Sequence, residues 1–180
     1  MKNNRLLLPI CWLAIACSSG AGSSRPARTA RDTLLSDTDR RILITESLSG
    51  IIPDSVRQME FAVVMVLPLE ASCPSCRVKT IDSIVAFRHH FPAHHFIVLS
   101  ADAGMKTMSS YFKGAGHPGI PDIPGVLLFD STGMARKKHL FNDNPAIYFL
   151  AGGKVYRKID ALPHTIKEDL REFFRGYRFK

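Results

Sequence analysis

The run FAVVMVLP, Phe61 to Pro68, constrains the fold of this chain more than any other stretch. It is unbroken, apolar and rich in β-branched residues. A strand with one wet face would alternate, so this pattern predicts a strand covered on both faces. Just beyond it, CRVKTIDSIVAF carries Val78, Ile81 and Val85 at helical spacing, with Pro92 closing the segment. A second apolar run, FIVLS (Phe96 to Ser100), predicts another buried strand. Strand, helix and strand over this length imply a parallel pair joined by a crossover.

The remaining segments extend the same architecture. GMKTMSSYFKG predicts a helix with Met105, Met108 and Phe112 inward and Gly114 at its end. GVLLFDSTG reads as a strand running into a turn, and PAIYFLAGGKVYRKI as a hairpin turning at Gly152-Gly153. TIKEDLREFFRG opens with a Thr-x-x-Glu capping box at Thr165 and Glu168, carries Ile166, Leu170, Phe173 and Phe174 on one face, and ends at Gly176. Upstream, SDTDRRILITESLSGIIPDS places Ile42, Leu43, Leu48 and Ile51 in a plausible helix, with a strand over RILIT as the competing reading. The expected order is β-α-β-α-β, a hairpin, then a helix, with no internal repeat. The fold class is α/β, a central mixed sheet flanked by helices, in one domain over 36–180.

The N-terminus reads differently. MKNNRLLLPICWLAIAC has a basic start and an apolar run from Leu6 to Ala16. That run is shorter than the roughly 20 residues a bilayer span needs, so 1–16 reads as an export signal. LAIAC resembles the lipobox of bacterial lipoproteins, while AIA also satisfies an ordinary small-x-small cleavage site; both cut after Ala16. Cleavage leaves Cys17, Cys73 and Cys76, and an odd thiol in an exported chain is accounted for if Cys17 is lipidated. Cys11 lies within the apolar run as a small hydrophobe. The Ser-, Gly- and Arg-rich stretch that follows makes 17–35 a flexible tether. No aspartate follows Cys17, which resembles the pattern of Gram-negative lipoproteins sent to the outer membrane. The formal charge of +8 is spread along the chain, with no basic patch interleaved with aromatics, so nucleic acid is not an expected partner.

Cys73 and Cys76 stand where the first buried strand meets a helix, the usual place for sites in open α/β sheets. Pro74 suits the first helical position, where its missing N–H costs nothing. Cys73 then faces the free amides and positive dipole end of the helix, and Arg77 and Lys79 add positive charge nearby. These features favour thiolate over thiol, with comparable sites at pKa values of roughly 3.5–7.5. Cys76, one turn further in, would be less exposed and able to attack a mixed disulfide at Cys73.

This arrangement resembles the thioredoxin fold, and in particular the membrane-tethered thiol–disulfide oxidoreductases of the ResA and TlpA kind. It is also similar to thioredoxin-like lipoproteins of the Bacteroidetes. The resemblance covers about Phe61 to Phe174 and rests on Cys73-Pro74-Ser75-Cys76, the strand before FDSTG, and the proline opening the final hairpin. It implies disulfide exchange with protein thiols and disulfides, no cofactor, a separate redox partner, and a periplasmic face on a lipid anchor. It also implies a cis-proline beside the sulfurs, matched by Pro145 after Asn144, with Pro124 as the rival position. Leu67 lies in the region where many relatives keep a proton-transfer acid, and Glu70 is nearer the cysteines but in the loop. Two other readings use the same residues. In one, His89, His90, His94 and His95 of RHHFPAHHF join the thiolates around copper for metal delivery. In the other, the cysteines are an inert pair in a non-catalytic binding module.

Overall fold

A computed structural model describes residues 32–34 and 38–176; the export signal, Cys17 and most of the expected tether lie outside the described residues. The elements in chain order are β1 (Asp32–Leu34), α1 (Thr38–Ser49), α2 (Asp54–Arg57), β2 (Phe61–Pro68), α3 (Pro74–Ala86), β3 (His95–Ser100), α4 (Gly104–Gly114), β4 (Leu127–Asp130), α5 (Met134–Lys137), β5 (Ala146–Ala151), β6 (Lys154–Asp160) and α6 (Ile166–Arg175). They form an open mixed sheet in the order β1-β6-β5-β2-β3-β4. β2, β3 and β4 are parallel; β5 pairs antiparallel with β2, β6 with β5, and the three-residue β1 with β6. β1 falls inside the stretch read as tether.

The unbroken apolar pattern of β2 has a direct cause. Val63, Met65 and Leu67 join one buried cluster, with Ile81 and Ile84 of α3, Met108 and Phe112 of α4, and Ile166, Leu170, Phe173 and Phe174 of α6. Ala62, Val64 and Val66 join the cluster on the opposite face, with Leu48 of α1, Val56 of α2 and Ala135 of α5. Successive side chains point to opposite faces, so a strand with helices on both sides has no position left for a polar residue. Each fully buried side chain of this size stabilises by roughly 1.5–3 kcal/mol, which makes β2 the anchor of both layers.

Several expectations are corrected in detail. RILIT is helical, as expected over the competing strand, but α1 turns Leu48 and part of Ile44 inward while Ile42 and Leu43 face out at 49% and 64% exposure. α1 is also fixed by polar contacts: Arg41 Nε donates to Val155 O (3.1 Å), and Val155 N donates to Thr45 Oγ1 (3.1 Å). These contacts occupy the edge of β6 just past its last pair with β1, Leu34 with Arg157. In α3 the inward set is Cys76, Thr80, Ile81 and Ile84, which places Val78 on the far side of the helix and exposed. Met105 has the helical phase of Met108 and Phe112 but lies in the first turn of α4, at the rim, and is exposed. The capping box at Thr165 does not form. Its Oγ1 accepts from Leu162 N (3.3 Å), so the hydroxyl serves the preceding turn and not the helix. Gly152 and Gly153, at φ 53° and 73°, supply the two positive-φ positions that the β5–β6 turn requires.

Candidate active site

The site is built at the carboxyl end of β2. Pro68 ends the strand, residues 69–72 turn, and α3 begins at Pro74 with Cys73 as its N-cap. Proline at the first helical position fixes φ where no amide partner is needed. Cys73 Sγ accepts from Cys76 N at 3.2 Å, the bond that a serine or aspartate would make at an ordinary N-cap. Ser75 Oγ lies 3.4 Å from the same sulfur. No acidic side chain occupies the first turn of α3 to oppose negative charge there.

The two sulfurs differ in access. Cys73 is half-buried and packs against the edge of the core, whereas Cys76 is fully buried within it. Their Cα atoms are 5.3 Å apart and the sulfurs lie at disulfide distance. A group arriving from solvent can reach the first sulfur and not the second.

The other half of the site comes from the loop before β5. Cys73 N donates to Asp143 O at 3.2 Å, and Cys76 Sγ lies 3.9 Å from Asn144 Oδ1. Pro145 is buried one residue beyond the Val66–Ala146 pair of β2 and β5, and its carbonyl accepts from Ala161 N at 2.8 Å. Antiparallel pairing of β5 with β2 therefore delivers Asn144 and Pro145 to the cysteines across most of the domain. Pro124 leads instead into β4, two strands from β2, and is exposed. Among the described residues no peptide bond is cis, so the expected cis-proline at Pro145 is not found. The trans form is the intrinsically favoured one for X–Pro bonds, and here it carries the chain into β5 with the Pro145 carbonyl paired.

Arg77 and Glu70, both named from the sequence, make contacts here that local spacing does not show. Arg77 Nη1 donates to Leu69 O (2.9 Å) and Ser72 O (3.2 Å), and its guanidinium lies 4.5 Å from the Tyr111 ring centroid. Glu70 accepts from Asp102 N (3.1 Å) and Ala103 N (3.3 Å) and stands 3.8 Å from Arg136. That carboxylate is committed to the start of α4 rather than to a sulfur. The positive charge of Arg77 beside Cys73 was expected from the sequence, since it lies one turn beyond that residue; its bonds to the turn carbonyls and to Tyr111 were not. The partners of Glu70 come from the segment between β3 and α4 and from α5, which no local pattern reveals.

The histidines lie elsewhere. His89, His90 and His94 are exposed beyond the far end of α3, and His94 has φ 61°. His95, expected in the loop, is the first residue of β3; it is buried, with Nδ1 2.8 Å from Ala93 O and its ring edge-on to Phe173. Burial pushes its pKa below the ordinary histidine value and the His94 charge acts the same way, while the Ala93 carbonyl acts against them. Among the described residues no group of three or more His, Cys, Asp or Glu side chains is placed to hold a metal ion. No described helix is long and apolar enough to cross a membrane.

Compared with family models, with curated proteins and with solved structures, the chain matches none.

Proposed function

We propose that this chain is a thiol–disulfide oxidoreductase of thioredoxin-like fold, exported and held by a lipid on Cys17 at the periplasmic face of the outer membrane. The observation that carries the reading is the unequal pair: Cys73 reachable at a helix N-terminus, Cys76 sealed beneath it at disulfide distance. The strand–Cys-x-x-Cys–helix–strand order, with Asn144-Pro145 opening an antiparallel strand beside β2, supports the thioredoxin-like assignment.

The exchange needs only sulfur chemistry. A substrate thiolate attacks Cys73 Sγ, a mixed disulfide forms, and Cys76 leaves as thiolate and takes up a proton. A second substrate thiol, as thiolate, attacks the substrate sulfur of that mixed disulfide and releases Cys73 as thiolate. Two electrons pass from the substrate dithiol to the Cys73–Cys76 pair, and the substrate leaves as a disulfide. Reversal of the same steps reduces a substrate disulfide, and a protein dithiol or disulfide of the compartment restores the starting state. The helix amides and dipole stabilise Cys73 as leaving group and as nucleophile, since both roles need the thiolate. Asn144 and Pro145 border the sulfurs where a substrate backbone would lie.

The test is equilibration in glutathione buffers of graded ratio, read by alkylation and mass. The expected result is a reversible two-electron transition between dithiol and disulfide, lost in Cys73→Ser and in Cys76→Ser. A pair that stays in one state across every ratio would mark an inert module and refute the proposal. Partitioning of the exported chain into a detergent phase, abolished by Cys17→Ala, tests the anchor.

A further inference from the structure

Arg77 is held in three ways around the turn that presents Cys73. Its Nη1 bridges the carbonyls of Leu69 and Ser72, its guanidinium lies over Tyr111 of α4, and its own backbone N–H bonds Cys73 O at 3.0 Å. Ser72 O belongs to the peptide bond that joins Ser72 to Cys73. The guanidinium is therefore one hydrogen bond from the unit carrying the reactive sulfur. Leu69 and Ser72 are both buried, so without Nη1 these two carbonyls would lose a partner that water cannot readily replace. A lysine could keep the charge, but not the planar guanidinium that lies over the Tyr111 ring.

We propose that Arg77 is a positioning residue that sets the thiolate character of Cys73, and through it the redox equilibrium of the pair. The inference rests on the redox reading above. The cation sits beside the helix N-terminus and adds to the positive field of the dipole at Cys73. Stabilising the thiolate stabilises the reduced form, which makes the disulfide a stronger oxidant. The turn carbonyls and Tyr111 hold the charge in place, so its effect does not depend on a mobile side chain.

The test compares the wild-type chain, Arg77→Met and Arg77→Lys by three measurements: thermal unfolding, the pH dependence of Cys73 alkylation in the reduced protein, and the equilibrium constant with glutathione. Arg77→Met is expected to raise the midpoint of the alkylation profile by about one pH unit. It should also shift the equilibrium about tenfold toward the disulfide, which for two electrons is about 30 mV more reducing. Arg77→Lys should restore both to within about threefold of wild type. If Arg77→Met melts lower yet titrates and equilibrates within twofold of wild type, Arg77 only braces the turn and the inference is overturned. If Arg77→Met does not fold, Tyr111→Leu serves in its place, because it removes one restraint on the guanidinium without removing the charge. It should shift both readouts in the same direction by a smaller factor, and no shift there overturns the inference too. A wild-type chain that never equilibrates with glutathione overturns the redox reading itself, and this inference with it.

Discussion

The two ends of α3 each lie beside a cluster of chemistry-bearing side chains, and the two clusters fare differently. At the N-terminal end, Cys73 and Cys76 meet Asp143 and Asn144 from a loop far along the sequence, and the turn before them is clasped by Arg77. At the C-terminal end, four histidines close together in sequence separate: His89, His90 and His94 face solvent, while His95 turns into the sheet against Phe173. Nearness in sequence did not keep the histidines together, and distance did not keep Asn144 from the cysteines. The carboxyl ends of parallel strands gather loops from several segments, whereas a loop leaving a helix into a strand has only its own residues to offer.

Substitutions can break this contrast, and the largest effect is expected at the sulfurs. Cys73→Ser should reduce exchange with glutathione below detection, while the double change His89→Ala and His90→Ala leaves it within about twofold. Equal losses in both would erase the distinction between the two ends.

A second experiment separates chemistry from support. Phe173 is fully buried, packs against His95 and belongs to the same cluster as Cys76. Phe173→Ala should cost about 3–5 kcal/mol in denaturant unfolding. The folded fraction should still exchange disulfides at nearly the wild-type rate, and a proportionate loss of exchange would join the two regions after all.

Asp130 offers a smaller effect near the site end of the sheet. Burial opposes its charge, but bonds from Ala135 N, Ser100 Oγ, Met134 N and Thr132 Oγ1 outweigh that and hold its pKa below the ordinary carboxylate value. A depressed folded pKa gives stability that is present above the unfolded value of 3.8 and is lost as pH falls through the folded value. Asp130→Asn should cost about 1–3 kcal/mol near neutral pH and flatten stability in acid.

His95 should contribute the smallest change. The unfolded chain protonates this residue near 6.5 while the folded chain resists, so stability should be full above that pH and decline as pH falls below it. His95→Gln should remove that slope below pH 6.5 without altering exchange at the cysteines. An unchanged slope would mean that the buried ring is not its source.

Much of the scaffold was legible in the sequence because burial writes itself into periodicity. Phe61–Pro68 reads as a two-faced strand for the reason that makes it one, and the final hairpin and Phe173-Phe174 helix follow from turn and helix spacing. Periodicity failed where the surroundings decide. Met105 has an inward phase but no core beneath its turn, and Thr165 had a closer partner at Leu162 than its own helix. The cysteine pair was visible as a motif, and Pro145 through resemblance to a fold. The contacts of Asp143 and Glu70 were not visible, because strand order brings them about and sequence spacing carries no record of it.

The account turns on whether an incoming sulfur is captured at one cysteine and released by the other. Cys76→Ser, mixed with oxidised glutathione and quenched in acid, should carry a single glutathione on Cys73, while the reduced wild-type chain treated alike should show an internal disulfide and no adduct. A Cys73 that takes up no glutathione, or a wild-type chain that retains it as stably as the variant, would contradict the account.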